Sequence, residues 1–263
     1  KDTSWGAVAN WYDELLEESP DYFQTKVILP NLLKILNIKN EETKIIDIAC
    51  GQGYFSRALE KAGAKVTGSD VSEELIAKAK ERSPKTITFH VASADKLSFA
   101  QNNSFDAAFI ILSIQNIENF SGTLREAGRV LKQNGRIFLV LNHPSFRIPQ
   151  KSSWEWDTKK TRQYRRIEGY LKEYKVEIDM TPGEKDKSKK QKTISFHRPL
   201  QSYIQALAAS GFAVINLEEW VSHKKSQKGP RSTEEDRIRK EIPMFLMIEA
   251  EKTKPLLVQG DRK

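Results

Sequence analysis

Apolar, β-branched runs alternate along the chain with segments whose apolar residues recur at helical spacing. The runs at 44–49, 64–68, 86–91, 105–112 and 136–141 predict strands. Helical spacing predicts two helices before the first strand, at 5–18 and 22–36, and further helices at 54–61, from Ser72, and at 121–132, the last ended by the Asn134-Gly135 pair. The run at 105–112 is almost continuously apolar, which is typical of a parallel strand covered on both faces.

The alternation stops at residue 143 and returns at residue 200. Residues 143–199 contain too few aliphatic side chains for a core of their own, and the stretches 174–180 and 193–196 predict a β-hairpin there. A helix at 200–210 and strands at 212–217 and 244–250 follow. The segment 221–242 is polar and broken by Gly-Pro, so we expect little helix in it and an antiparallel pairing of the last two strands.

Seven strands alternating with helices predict a three-layer αβα sandwich with a mostly parallel sheet and an antiparallel last strand. We divide the chain into residues 1–142, an insertion at 143–199, residues 200–252 that return to the first unit, and a tail at 253–263.

The formal net charge of +8 is concentrated in two late segments. Residues 143–199 carry a net +7 and residues 220–242 a net +3, so the remainder sums to −2. This distribution favours an anionic ligand or partner beside those segments, the alternative being two solvated loops. With a mean hydropathy of −0.58, one cysteine and no apolar run near the ~20 residues that a bilayer requires, we expect a cytoplasmic protein without a membrane span or metal site.

Chemistry-bearing residues follow the first three predicted strands. Strand one leads into Asp47-Ile-Ala-Cys-Gly51-Gln-Gly53, strand two ends at Asp70, and strand three is followed by Ala94-Asp95. In a parallel αβα sheet, ligands bind at the carboxyl ends of the strands. Two glycines allow close backbone approach, but Ser56 stands where a dinucleotide fingerprint has its third glycine. The set therefore favours an adenosine ligand without a pyrophosphate.

Together these motifs resemble the class I S-adenosylmethionine-dependent methyltransferases, especially the bacterial ubiquinone and menaquinone methyltransferase-like group. The resemblance covers about residues 5–141 and 194–250 and implies a Rossmann-like fold, an enzyme and S-adenosylmethionine as cofactor. It also includes an aromatic-Tyr-Asp element at 11–13 and an aromatic-His-Arg-Pro segment at 196–199; Ala49 departs from the commoner glycine. The cofactor contacts that it implies are Tyr12, Asp47, Ala49, Cys50, Gly51, Gly53, Asp70, Val71, Ala94, Asp95 and Ser113.

For several of these residues a structural role stays open. Asp70 can simply cap the helix that begins at Ser72, Asp95 can be a loop acid, and Tyr12 can pack in a core. Cys50 fits a small packed residue better than a nucleophile, because no base partner is located.

Methyl transfer requires alignment of donor and acceptor, and a base where the acceptor must lose a proton. His143 and His197 are the candidate bases, each with a structural hydrogen bond as the alternative. Candidate acceptor contacts follow strand four or lie in the insertion and the aromatic-His-Arg-Pro segment: Gln115, Asn116, Trp154, Trp156, Tyr164, Arg165 and Arg198.

Three functions remain open from the sequence. The first is O- or N-methylation of a small, polar or anionic acceptor, with the insertion as a lid. The second is methylation of tRNA or rRNA held by the basic insertion, against which no appended RNA-binding module is evident. The third is a non-catalytic cofactor-binding subunit that serves a partner. The acceptor atom and the oligomeric state are left undetermined.

Overall fold

The computed structural model describes residues 23–36, 38, 42–180 and 192–253. The predicted helix at 5–18 and Tyr12 lie outside these residues. The described strands are β1 Lys44–Ile48, β2 Lys65–Asp70, β3 Thr88–Val91, β4 Phe105–Ile111, β5 Leu131–Asn142, β6 Ser152–Asp157, β7 Arg162–Ile167, β8 Tyr174–Asp179, β9 Lys192–His197, β10 Phe212–Trp220 and β11 Phe245–Lys252. The described helices are a π-helical turn Gln24–Ile28 that continues into α1 Leu29–Ile35, then α2 Tyr54–Lys61, α3 Glu73–Arg82, a 3₁₀ turn Ile114–Asn116, α4 Phe120–Val130, α5 Leu200–Ala209 and α6 Ser232–Glu241.

Seven strands form one sheet in the order β10-β11-β5-β4-β1-β2-β3. The pairs within β5-β4-β1-β2-β3 are parallel, whereas β11 is antiparallel to both β5 and β10. The predicted fold class is therefore confirmed. Because β1, β2 and β4 run in one direction, their carboxyl ends meet at one edge of the sheet, where the loop after β1 also lies.

The core lies on both faces of the sheet. Alternation along β1 sends Ile46 and Ile48 into one apolar cluster and Ile45 into the other. In the second cluster the rings of Phe109 and Phe138 stack with centroids 4.7 Å apart, joining β4 to β5. All five side chains are at most 1% exposed, so the central strands form a rigid base for the loops at their ends.

Helix α4 ends earlier than its turn signal predicts. It runs from Phe120 to Val130, and the predicted Asn134-Gly135 stop lies inside β5. Asn134 has a φ of 60°, and the register between β4 and β5 shifts before Ala107, so this pair forms an irregularity in the strand and does not cap the helix. The prediction at Ser72 is confirmed, because its side chain accepts a hydrogen bond from the Leu75 amide at the start of α3.

Between β5 and α5 the chain forms two hairpins, one more than predicted. β6 pairs antiparallel with β7, and β8 pairs antiparallel with β9. The expectation of little helix at 221–242 is wrong, because α6 lies there. This helix buries only Ile238, but Arg237 forms ion pairs with Glu234 and Glu241 along its exposed face.

Candidate active site

A cleft opens at the carboxyl ends of β1, β2 and β4, the edge predicted for the ligand. Its wall combines the loop after β1, the end of β2 and the loop after β4, so three separate elements hold it in shape. The lining residues are Asp47, Ala49, Cys50, Gly51, Gln52, Tyr54, Phe55, Asp70, Val71, Leu75, Ile111, Leu112, Ser113, Asn116 and Ile117.

The loop after β1 turns through three left-handed residues. Ala49, Gly51 and Gly53 have φ angles of 56°, 57° and 81°. Gly51 lines the cleft, as predicted. Gly53 instead begins α2 and faces the core, where a Cβ would lie 2.9 Å from Phe89 Cζ. Packing against Phe89 thus accounts for the glycine at position 53. The predicted contact of Gly53 with a cofactor stays a prediction.

Asp70 joins the ends of β1 and β2. One carboxylate oxygen accepts from the Gly51 amide and the other from the Ser72 amide, each at 2.9 Å. Burial raises the pKa of Asp70, and these backbone donors partly offset that effect. A carboxylate has about four acceptor positions. Asp70 therefore supports the loop and still keeps acceptor capacity toward the cleft, so its structural role and a ligand role are compatible.

Asp47 is 2% exposed and accepts a hydrogen bond of 2.6 Å from the Ser56 hydroxyl. Burial raises the pKa of Asp47 to about 7, a shift that the Ser56 hydrogen bond opposes and the nearby Asp70 charge reinforces. Ser56 thus has a use in this loop that glycine would not supply. Burial also raises the pKa of the Cys50 thiol, which argues against a thiolate nucleophile.

The loop after β4 places polar groups on the opposite wall. Gln115 and Asn116 both donate to the Leu112 carbonyl, at 2.8 Å and 3.4 Å. The Ser113 hydroxyl and the Gln115 Oε1 atom are buried without a hydrogen-bond partner among the described residues. Unpaired buried polar atoms cost stability, so these two groups are suited to contacts with a bound molecule.

Arg198 secures this loop from behind. The guanidinium is 5% exposed, donates to the Ile117 and Glu118 carbonyls at 2.9 Å each, and lies 4.2 Å from the centre of the Phe120 ring. These hydrogen bonds give Arg198 a positioning role for the loop after β4, and its predicted contact with an acceptor anion stays a prediction.

The two candidate bases both have hydrogen-bond partners. His143 Nδ1 accepts from the Ser145 amide, which places the neutral ring's proton on Nε2, 2.7 Å from Glu219 Oε1. His197 Nε2 donates to the Tyr170 carbonyl at 2.7 Å. Burial lowers the pKa of each imidazole. Neither histidine lines the cleft, so their catalytic role stays a prediction.

His197 lines a second, smaller cavity beside the cleft, which we term the side cavity. Its volume is about 30 Å³, and it is bounded by Gln115, Asn142, Pro144, Arg147, Pro149, Ser195, Phe196, His197, Arg198 and Tyr203. Gln115 directly precedes Asn116, so the side cavity and the cleft share the loop after β4.

Ala94 and Asp95 do not line the cleft. The Asp95 carboxylate accepts from the Ser93 hydroxyl and from Asn119 Nδ2, and Asn119 in turn caps α4 through the Gly122 amide. The structure therefore shows a structural use for Asp95, and adenine binding at Ala94 and Asp95 stays a prediction.

The predicted acceptor contacts on β6 and β7 also lie away from the cleft wall. The guanidinium of Arg165 lies 5.0 Å from the Trp154 ring centre and donates to the Phe146 carbonyl, while Arg231 lies 4.7 Å from the Trp156 ring centre. Tyr164 is 49% exposed. The Trp154 ring thus has a guanidinium partner from the insertion, and the Trp156 ring has one from the segment before α6.

Sequence reasoning missed Gln52 and the apolar and aromatic part of the cleft wall. The missed residues are Gln52, Tyr54, Phe55, Leu75, Ile111, Leu112 and Ile117. Each follows or ends a strand, or lies in the first turn of α2 or α3, so position at the sheet edge was the available signal. Among the described residues, no group of three or more His, Cys, Asp or Glu side chains could hold a metal ion. In the same ranges, no helix combines the length and apolar character needed to cross a bilayer.

Comparison with known proteins identifies the class that this topology and cleft define. Residues 46–139 match the family model described as a methyltransferase domain. An S-adenosylmethionine-dependent methyltransferase from Mesorhizobium loti superposes with a TM-score of 0.64 at 28% identity, covering 84% of this chain and 96% of that one. Residues 46–139 are therefore similar to methyltransferase domains, and the described fold is similar to that of an S-adenosylmethionine-dependent methyltransferase, which supports S-adenosylmethionine as the cofactor.

More particular relatives include a demethylmenaquinone methyltransferase from Tropheryma whipplei, 33% identical over 42% of this chain and 46% of the relative. A ubiquinone biosynthesis O-methyltransferase from Xanthomonas oryzae is 27% identical over 51% of this chain and 57% of the relative. The matched region thus spans about half the length of these curated relatives.

The cleft residues fit this cofactor. The Asp70 carboxylate would suit a pair of ribose hydroxyls, and the left-handed turn at Gly51 would allow the methionine part to approach the backbone. The unpartnered Ser113 hydroxyl supplies a further polar contact on the opposite wall.

Proposed function

We propose that the protein transfers the methyl group of S-adenosylmethionine to an oxygen or nitrogen atom of a small polar or anionic acceptor. The observation that carries the proposal is the two-sided cleft, with Asp70 and the glycine loop on one wall and Ser113 and Asn116 on the other. The names of the quinone-pathway relatives support a small-molecule acceptor.

The bound cofactor supplies an electrophilic methyl group on a sulfonium, which the acceptor atom displaces in line. The protein's contribution is then to orient the two molecules and to exclude water. We assign cofactor orientation to Asp70, the backbone at Gly51 and the Ser113 hydroxyl, and acceptor orientation to Gln115 and Asn116. Where the methyl acceptor must lose a proton, His197 is the better-placed of the two candidate bases. His197 lines the side cavity, and its Nδ1 atom keeps a lone pair because the ring proton on Nε2 is donated to the Tyr170 carbonyl.

The pairing of the basic side chains favours a small acceptor over RNA. Arg166 pairs with Glu168, Lys192 with Glu177, and Arg237 with two acids of α6. These pairs balance part of the positive charge in the two basic segments, whereas a surface for a polyanion needs uncompensated charges along its track.

A labelling experiment tests this proposal. The protein is incubated with methyl-labelled S-adenosylmethionine and, separately, with an ultrafiltered pool of cellular small molecules or with total RNA, and the Asp70→Ala variant serves as the inactive control. We expect label in the anionic or polar small-molecule fraction. Label confined to RNA would promote RNA methylation, and no label in either pool, with cofactor binding intact, would favour a non-catalytic cofactor-binding subunit.

A further inference from the structure

Arg147 is a half-buried cation that lacks an internal partner. Its side chain makes no hydrogen bond or ion pair within the described part of the chain, although it lines the side cavity. Burial lowers the pKa of Arg147, and the nearby Arg239 charge lowers it further. Arg165 is crowded in the same way: burial and Arg147 lower its pKa to about 10. Of these three arginines Arg147 lines the side cavity, and the nearby Arg165 and Arg239 add to the positive potential around it.

Within the described part of the chain, no acid of the neighbouring elements forms an ion pair with the Arg147 guanidinium. Glu219 pairs with His143 at 2.7 Å, and Glu234 pairs with Arg237 at 2.8 Å. Asp236 accepts from the Ser226 amide at 2.6 Å and lies 3.8 Å from Arg239. Arg165 itself donates to the Phe146 carbonyl and the Ser152 hydroxyl, so Arg147 is the one of these three arginines whose guanidinium has no acceptor among the described residues.

Gln115, which also lines the side cavity, carries an acceptor atom without a partner among the described residues. Its Nε2 group donates to the Leu112 carbonyl, and its Oε1 atom is buried and unpaired there. The cavity volume of about 30 Å³ exceeds the ~10 to 15 Å³ that one water needs, so a carboxylate-sized group has room. A ligand that satisfies both residues carries an anionic group for Arg147 and a hydroxyl or amine hydrogen for Gln115.

We propose that the side cavity is an anion subsite, in which Arg147 binds the carboxylate or phosphate of a small organic acid. This inference rests on the proposed function for the methyl donor and adds the acceptor's class: an acid with a hydroxyl or amine nearby. The anion lies at Arg147 and the O–H or N–H group near Gln115, on the loop that also bounds the cofactor cleft. The forked guanidinium suits bidentate recognition of either oxyanion.

The test uses charged and neutral probes of nearly equal shape. Binding of benzoate, benzamide and phenyl phosphate is measured by calorimetry and by NMR line shifts, with and without S-adenosylmethionine. The variants are Arg147→Gln, Arg147→Lys and Arg166→Gln, the last removing an exposed arginine of the same insertion that pairs with Glu168. Circular dichroism and cofactor affinity confirm that each variant is folded.

We expect the wild type and Arg166→Gln to prefer an anionic probe over benzamide by about tenfold, the effect of one charge-assisted hydrogen-bonded pair. Arg147→Gln should abolish the preference, and Arg147→Lys should keep part of it. The stronger anionic probe distinguishes a carboxylate from a phosphate subsite. Equal binding of all probes, no saturable anion binding, or an unchanged preference in Arg147→Gln would overturn the proposal. Failure of S-adenosylmethionine to bind would instead count against the proposed function, because the probe measurements are also made without it.

Discussion

The ring of Phe89 on β3 lies against the backbone of Gly68 on β2. A Cβ at position 68 would lie 2.6 Å from Phe89 Cδ1 and 3.0 Å from the sulfur of Cys50. The same ring also restricts the side chain at position 53, where a Cβ would lie 2.9 Å from Phe89 Cζ. One aromatic side chain therefore accounts for a glycine in the β1 loop and another in the neighbouring strand, and ties the shape of the cleft wall to core packing.

Gly68→Ala should destabilise the protein by roughly 1 to 3 kcal/mol, because the ring has to move out of a well-packed position. Urea unfolding measures the change. Phe89→Leu in the same chain should relieve the overlap, so that the double-mutant cycle shows favourable coupling. Gly229→Ala, whose Cβ would meet only the Gln227 carbonyl at 3.9 Å, is the control and should be nearly silent. Additive losses in the cycle would contradict this relationship.

Ala49→Gly should stabilise the protein by up to about 1 kcal/mol. The φ of 56° at Ala49 is disfavoured for residues with a Cβ, and relief of that strain outweighs the added freedom of glycine in the unfolded chain. Ala77, exposed in the middle of α3, is the matched control, because glycine there should cost about 1 kcal/mol. Destabilisation of both variants in thermal or urea unfolding would contradict the prediction.

The apolar, β-branched runs were sufficient to predict the seven strands of the sheet. The central strands β1, β4 and β5 are mostly buried, and the edge strands β3 and β10 carry such runs although few of their side chains are buried. Hydrophobic periodicity failed for α6, where Ile238 is the single buried residue of the helix and the supporting signals are electrostatic: Glu234 and Glu235 in the first turn, Arg239 and Lys240 in the last. It also failed for β6 and β7, whose side chains are at most partly buried, so that no apolar alternation marks them.

Candidate site residues were predictable only where the fold itself positions them. Asp70 and Gly51 lie at the ends of strands, and the structure places both in the cleft. The positioning role of Arg198 could not be predicted from its residue type, because its guanidinium donates to carbonyl groups of a loop about eighty residues away along the chain. The sequence shows that Arg198 has hydrogen-bond donors, but it does not show which distant carbonyl groups accept from them.

Asp47→Asn should stabilise the protein at pH 8 and have much less effect at pH 5. Burial raises the pKa of Asp47 to about 7, so between its ordinary value of 3.8 and pH 7 the folded state binds a proton that the unfolded chain has lost. Stability from this group therefore falls as pH rises through that window and stays low above it. We expect a gain of roughly 2 to 4 kcal/mol at pH 8.

Urea unfolding at several pH values measures this dependence. Comparison with the wild type cancels the histidines, which both proteins share. Glu42→Gln is the control: a hydrogen bond from Lys65 lowers the pKa of Glu42, so removing that exposed acid should have a small effect of the opposite sign. An equal effect of Asp47→Asn at pH 5 and pH 8 would show that Asp47 does not hold a proton in the folded state.

Asp70→Ala should weaken S-adenosylmethionine binding by about 1 to 3 kcal/mol, or roughly ten- to hundredfold in Kd, because the variant loses charge-assisted hydrogen bonds to the ligand. Calorimetry measures the affinity, with NAD as the competing ligand, which should bind more weakly. Ser72→Ala is the matched control: it removes the cap of α3 next to Asp70 and should lower stability while leaving the affinity unchanged. If both variants lose the same affinity, Asp70 acts only through the shape of the loop.

Excising the β6–β7 hairpin tests the role of the insertion as an acceptor lid. The Glu168 amide donates to the Lys151 carbonyl at 2.9 Å, so the ends of the hairpin are adjacent and two glycines can replace residues 152–167. We expect S-adenosylmethionine affinity to be unchanged, because none of these residues lines the cleft. Methyl transfer to the acceptor pool should be lost, because the hairpin that is proposed to enclose the acceptor and exclude water is missing. Lys159→Ser and Lys160→Ser at the hairpin turn are the controls and should keep both properties. Normal turnover after the excision would show that the hairpin is not a lid, whereas loss of cofactor binding would show that it supports the fold of the cleft.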